Sequence, residues 1–246
     1  MKDFFSFDSS FFRMLDKLGS LFILNLLTLV CSIPIVTVGA SFTALYYVTM
    51  KMVRDEETYV IKDFFRSFRQ NFLQGTAIWM ILLVIASVLV YDYRLMALNP
   101  EAIPGAKVFT ILIMACSVFY ALELAFVFPV LAKFYNTVRQ TMKNALFMGI
   151  RHFPKTVAII FIDVIFLVIT IVGLYRNGRS FVAPLYVCLG FAVPAYANSY
   201  ILVKIFDQYI PEEDVSCKEL ETGVAIEEME TDSSIDTGEY GKEEKR

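Results

Sequence analysis

The sequence predicts an all-α fold, a polytopic membrane helical bundle of about six transmembrane helices with two cytoplasmic amphipathic helices and a disordered acidic C-terminal tail. Three observations predict it. The chain is 57% hydrophobic over 246 residues, with a mean hydropathy of +0.58, and so carries too few charges to clothe a soluble globule of this size. Residues 18–50 run for thirty-three positions without a Lys, Arg, Asp, Glu or His. The net charge of −3 hides an asymmetry, because residues 211–246 hold thirteen acidic against four basic side chains and leave the remainder at +6.

The first apolar run sets the pattern. A continuous helix of its length would reach roughly 50 Å, against a hydrocarbon core of about 30 Å that needs only about 20 residues. It is therefore read as a helical hairpin broken at Ser32-Ile33-Pro34-Ile35-Val36-Thr37-Val38-Gly39. Pro34 removes a donor and disfavours helix at Ile33, and Gly39 is expected to permit a sharp turn back. The two arms are placed at about 10–32 and 40–54, the first begun by an Asp8-Ser9-Ser10 cap and preceded by an interfacial stretch with Phe4, Phe5 and Phe7. The run is too long for a removable signal peptide, so the first helix is expected to stay as an anchor.

Further spans are expected at 70–91, at 108–132 with Glu123 inside it, at 156–175 with Asp163 inside it, and at 180–203. Together, residues 1–206 form the transmembrane domain. Residues 207–246, rich in Glu, Asp, Ser, Thr and Gly, cannot bury enough surface to offset chain entropy and are expected to form a disordered cytoplasmic tail. With both termini inside, the inner segments hold fourteen Lys and Arg and the outer loops four, at Arg94, Lys107, Arg176 and Arg179; a single crossing of the first run would reduce the split to eleven against seven. The bias favours the six-helix topology.

Two inner loops read as amphipathic interfacial helices. In the first, Ile61, Phe64, Phe65, Phe68 and Phe72 share a face, with Lys62, Arg66 and Arg69 towards the other. In the second, Phe134, Val138, Met142, Ala145, Leu146, Ile150 and Phe153 repeat the pattern, with Arg139, Lys143 and Arg151 off the stripe. Phe64, Phe65, Arg66, Phe68, Arg69, Arg139, Lys143 and Arg151 are the candidate partner-docking residues. The likeness of Phe68-Arg69-Gln70-Asn71-Phe72 to Ile150-Arg151-His152-Phe153 hints at a duplicated unit of helix, inner amphipathic helix, helix.

Catalytic chemistry is not written in the chain. It has no Gly-rich phosphate loop, no His-Glu metal helix and no Gly-x-Ser-x-Gly, and its one histidine, His152, sits at a loop end where an interfacial role is the simpler reading. Cys31, Cys116, Cys188 and Cys217 are scattered singly, without disulfide or zinc spacing. No enzyme, metal or cofactor is predicted, and no nucleic-acid partner, because the basic residues flank membrane spans. The candidate polar site is intramembrane: Glu123 and Asp163, each about 12 to 15 Å from the inner end of its helix, with Asn25 and Asn198. It either shares a proton or binds a cation, or consists of neutral, hydrogen-bonded packing residues; the second reading is preferred.

Pro34-Ile35-Val36-Thr37-Val38-Gly39-Ala40 running into Ala44-Leu45-Tyr46-Tyr47, then Val53-Arg54-Asp55-Glu56-Glu57 and Asp63-Phe64-Phe65-Arg66-Ser67-Phe68, resembles the signature of the YesL-like integral membrane proteins. Leu131-Ala132-Lys133-Phe134, Thr141-Met142-Lys143-Asn144-Ala145-Leu146 and Asn198-Ser199-Tyr200 extend the likeness over roughly residues 5–210. The resemblance implies a Gram-positive plasma membrane and a setting beside carbohydrate ABC importers and glycan-degrading enzymes, with no established activity. The expectation is a non-enzymatic accessory or regulator of carbohydrate (oligosaccharide) ABC import, with the lipid bilayer and the importer's permease as partners. The alternative is a small secondary transporter with its carboxylate site at Glu123 and Asp163.

Overall fold

The computed structural model describes residues 10–98, 106–134, 136–175 and 189–209, and every regular element among them is helical. In order these are α1 (Ser10–Cys31), α2 (Val38–Val53), α3 (Val60–Gln70), α4 (Phe72–Leu98), α5 (Ala106–Lys133), α6 (Val138–Arg151), α7 (Phe153–Tyr175) and α8 (Ala192–Phe206), with 3₁₀ turns at Ile35–Thr37 and Asp207–Tyr209. The chain divides into two units, Met1–Val203 and Lys204–Arg246. Of the second, only the end of α8 and the last 3₁₀ turn are described. The interfacial Phe4, Phe5 and Phe7, Arg176 and Arg179, the start of the span expected from residue 180, and the acidic tail beyond residue 209 lie outside the described residues.

In the first unit, the chain folds around α2. Gly39, Ala40, Ser41, Thr43, Ala44, Leu45, Tyr46, Val48, Thr49, Met50 and Met52 are all buried, and α1, α3, α4 and α5 pack around them. A helix apolar or small on every side belongs in a core. Its hydroxyls return to its own backbone: Ser41 Oγ donates to Thr37 O at 3.0 Å and Thr43 Oγ1 to Gly39 O at 2.8 Å. No polar group is then left facing apolar neighbours at those positions.

The break between α1 and α2 is held by side chains. Pro34 begins the 3₁₀ turn with φ −73° and ψ 116°, and the Thr37 hydroxyl donates to Cys31 O at 2.6 Å and to Pro34 O at 2.8 Å. From α4, Trp79 Nε1 donates to Ile35 O at 2.7 Å. Gly39, expected as a turn residue, lies inside α2 without a left-handed φ; its need is steric. A Cβ there would run into the Gly75 carbonyl, and one on Gly75 would meet Ala40 Cα at 3.0 Å. The absence of both lets α2 and α4 cross at backbone contact.

α3 and α4 are joined through Asn71 alone, and α6 and α7 through His152. Gly75 N–H donates to Asn71 O (2.8 Å) and Thr156 N–H to His152 O (3.0 Å), so each long helix starts from the bend. Pro154 is accommodated in the first turn of α7, where no partner N–H is needed. α4 continues past Asp92 and Arg94, where the expected span ends, because nothing before Leu98 breaks a helix.

Three helical stretches, Phe72–Leu98, Lys107–Lys133 and Phe153–Val172, are long and apolar enough to cross a membrane. Only 17%, 33% and 17% of their most apolar windows are buried inside the protein. Apolar surface on that scale needs an apolar surrounding, and hydrocarbon supplies it. The packed parts are the beginnings of α4 (Gly75, Ile78, Leu82) and the end of α5 (Phe126, Val127, Val130, Leu131).

Candidate functional site

A cavity of about 310 Å³ opens where α2, α4, α5, α7 and the start of α8 converge. Helical spacing aims its walls. Phe42 and Tyr46 lie four apart on α2, Leu124 and Phe128 four apart on α5, and Asp163 three and four before Phe166 and Leu167 on α7. Trp79, Phe191, Pro194 and Ala195 complete the wall. The rings are contiguous: Phe42 stands 6.2 Å from Phe128 and 5.6 Å from Phe191 between centroids, and Trp79 stands 6.2 Å from Phe128.

Asp163 is the one ionisable carboxylate in this wall. Its Oδ1 accepts from Asn198 Nδ2 at 2.8 Å, and among the described residues no second hydrogen bond reaches it. Asn198 is fully buried and its own Oδ1 has no hydrogen-bond partner, with the buried Tyr46 side chain close beside it. The Trp79 N–H is already committed to Ile35 O, so this residue offers its ring rather than a donor.

The four expected intramembrane polar residues separate. Asp163 and Asn198 meet. Asn25 does something else: its Oδ1 accepts the backbone N–H groups of Phe191 (2.8 Å) and Ala192 (3.0 Å), capping α8 from α1 and so fixing the Phe191 wall of the cavity. Glu123 does not line the cavity at all. Its neighbour Leu124 does, and successive residues on a helix point about 100° apart, so Glu123 turns away. It is buried, and its Oε1 has no hydrogen-bond partner. Of the two intramembrane carboxylates, the cavity wall therefore holds Asp163 and not Glu123. Thr49 and Ser199 share a 2.8 Å hydrogen bond between α2 and α8, a contact that the sequence does not signal. Tyr46 is read from the sequence only as part of the family likeness, and Trp79 and Phe128 carry no signal there, because their meeting requires contacts across helices.

The two amphipathic helices also differ from their sequence stripes. On α3 the buried face is Asp63, Phe64 and Ser67, while Ile61, Phe65 and Phe72 are exposed and Phe68 is half-buried. Arg66 and Arg69 are exposed beside them. On α6 the buried face is Thr141, Ala145, Met148 and Gly149; Ile150 and Phe153, placed on the apolar stripe, are exposed together with Phe147, Arg139, Lys143 and Arg151. Small residues win the packed face because they admit close approach: a Cβ on Gly149 would touch Leu122 of α5 at 3.4 Å. A Thr137–Gln140 capping box starts α6.

Ion pairs hold α3 and its turn. Lys51 Nζ lies 2.9 Å from Asp63 Oδ2, joining α2 to α3, and Lys17 Nζ lies 2.8 Å from Asp55 Oδ1, joining α1 to the turn between them. Asp55, at φ 53°, adopts the left-handed conformation that Asp tolerates better than most residues. At the other bend, burial and the nearby Lys155 and Arg151 charges keep the His152 imidazole below its usual range, which favours the neutral ring. Among the described residues no three His, Cys, Asp or Glu side chains converge as metal ligands.

Residues 21–93, from the middle of α1 into α4, match the family model described as "Protein of unknown function, DUF624", the family that includes the YesL-like proteins. No curated protein and no solved structure matches the chain.

Proposed function

We propose that this chain is a multi-pass protein of a bacterial plasma membrane, non-enzymatic, that assists or regulates a carbohydrate ABC importer by docking to its permease through α3 and α6. Its six spans are α1, α2, α4, α5, α7 and the stretch expected at 180–203, of which α8 is the described part, with both termini and both amphipathic helices on the cytoplasmic side. α2, at 16 residues, covers only about 24 Å and reaches the far side through the 3₁₀ turn before it.

The observation that supports docking is how firmly α3 is held while its outer surface stays bare. Phe64 is fully buried and Asp63 is tied to Lys51, yet Phe65, Arg66, Arg69 and Phe72 remain exposed. A rigid helix presenting aromatic and Arg side chains together has the composition of a protein-binding hot spot. Purification in mild detergent tests the proposal: a permease subunit recovered in stoichiometric amount supports it, and recovery of this chain alone under conditions that keep the importer intact overturns it.

One observation favours a second reading, a small secondary transporter. A cavity holding a carboxylate, walled by helices of both halves of the bundle, is where such proteins place their sites. In that reading the working residues are Asp163 and Asn198, and flux by the isolated protein in vesicles decides it.

A further inference from the structure

We infer that the cavity around Asp163 binds a small organic cation, an ammonium carrying apolar substituents. The inference holds whether the chain carries this ligand or only responds to it, so its test does not depend on the importer. Six aromatic side chains, Phe42, Tyr46, Trp79, Phe128, Phe166 and Phe191, face a space of about 310 Å³, within the range of small-molecule sites. Ring faces attract a cation through their quadrupole, most strongly where water is excluded. A single carboxylate supplies the opposite charge, oriented by the Asn198 amide at 2.8 Å with its second oxygen left for a ligand.

The same wall argues against other occupants. A sugar carries several hydroxyls, each needing a partner on burial at a cost of about 1–3 kcal/mol when it is missing. The wall offers the Asp163 carboxylate and the Tyr46 hydroxyl, while the Trp79 donor is already used. A bare inorganic cation wants six or more oxygens for calcium or an octahedral set for magnesium, and one carboxylate beside one amide falls short. An apolar molecule without charge would fill the space but leave the carboxylate unpaired. Asn198 is itself fully buried, so the amide that orients Asp163 is fixed in place before any ligand arrives. Asn25 holds Phe191 in place from outside it.

Trp79 is the only tryptophan in the chain, so fluorescence reports this cavity without competing signal. The full-length protein in detergent is titrated with benzyltrimethylammonium, with its uncharged carbon isostere neopentylbenzene, and with maltose. The expected result is a saturable Trp79 response to the cation, affinity at least about tenfold weaker for the isostere, and none for maltose. Asp163→Asn should weaken the cation severalfold more than the isostere and leave only the part of the preference that the rings supply. Phe128→Leu, which removes a ring and keeps the carboxylate, should weaken the cation more than the isostere, and decides the matter if Asp163→Asn does not fold. Equal affinity for cation and isostere marks an apolar void that takes a lipid tail and overturns the inference. So does saturation by maltose, the absence of any saturable response, or cation binding indifferent to both substitutions.

Discussion

Gly39 and Gly75 matter for what they lack. Each would bring a Cβ into the other helix's backbone, which cannot move aside as a side chain can. Gly39→Ala or Gly75→Ala should destabilise the protein by about 1–3 kcal/mol, the usual cost of overpacking, and lower the thermal midpoint in detergent, whereas Gly19→Ala, with open space around it, should not. Glu123 should behave in the opposite way: Gln keeps its volume and brings no charge into a site without partners, so Glu123→Gln should fold at normal levels, and Glu123→Lys, which buries an unpaired ammonium, should not. Both carboxylates were legible in the sequence, as single charges inside apolar runs. Their separation was not, since the partner of Asp163 lies 35 positions away on α8 and only packing decides which face of α5 looks into the cavity. Gly39 was picked out for a conformational reason that the helix around it removes.

At the scale of elements, α3 and α6 show what periodicity can and cannot tell. Both helices and their positive flanks were visible, because aromatic and basic residues recur at helical spacing. The buried faces were not, because a stripe broad enough to meet lipid and protein together does not say where one ends; Phe64 goes to the core and Phe65 to the outside. Phe65→Asp should therefore leave insertion and folding intact and abolish co-purification with the permease, while Phe64→Ala should cost about 3–5 kcal/mol and unfold α3 from α2. A permease still captured by Phe65→Asp removes α3 from the docking surface.

At the scale of the molecule, α2–α3–α4 and α5–α6–α7 follow the same course, a helix, a short amphipathic helix, and a long apolar helix started by a one-residue bend. The buried Phe64 and Ser67 correspond to the buried Ala145 and Met148, and the bend residue Asn71 to His152, each eighty-one residues on, whereas buried Asp63 corresponds to exposed Asn144. The all-helical class was legible from composition and unbroken apolar runs, and so was the helical break in the first run, but which of its two arms lies at the centre was not, since neither arm carries a charge within that run and only packing buries α2 on every side. If the two halves are equivalent, their interfacial helices lie on the same side, and the fourteen-to-four charge split puts that side inside. Single cysteines replacing Tyr59 in the turn before α3 and Lys143 on α6, both exposed, test this in a background without the four native cysteines. Neither should react with an impermeant thiol reagent added to intact cells, and both should react once the membrane is opened. Leu98→Cys, at the exposed far end of α4, should react from outside. Labelling of Tyr59→Cys and Lys143→Cys from opposite sides would break the equivalence of the halves and, with it, the reading of α3 and α6 as one cytoplasmic docking face.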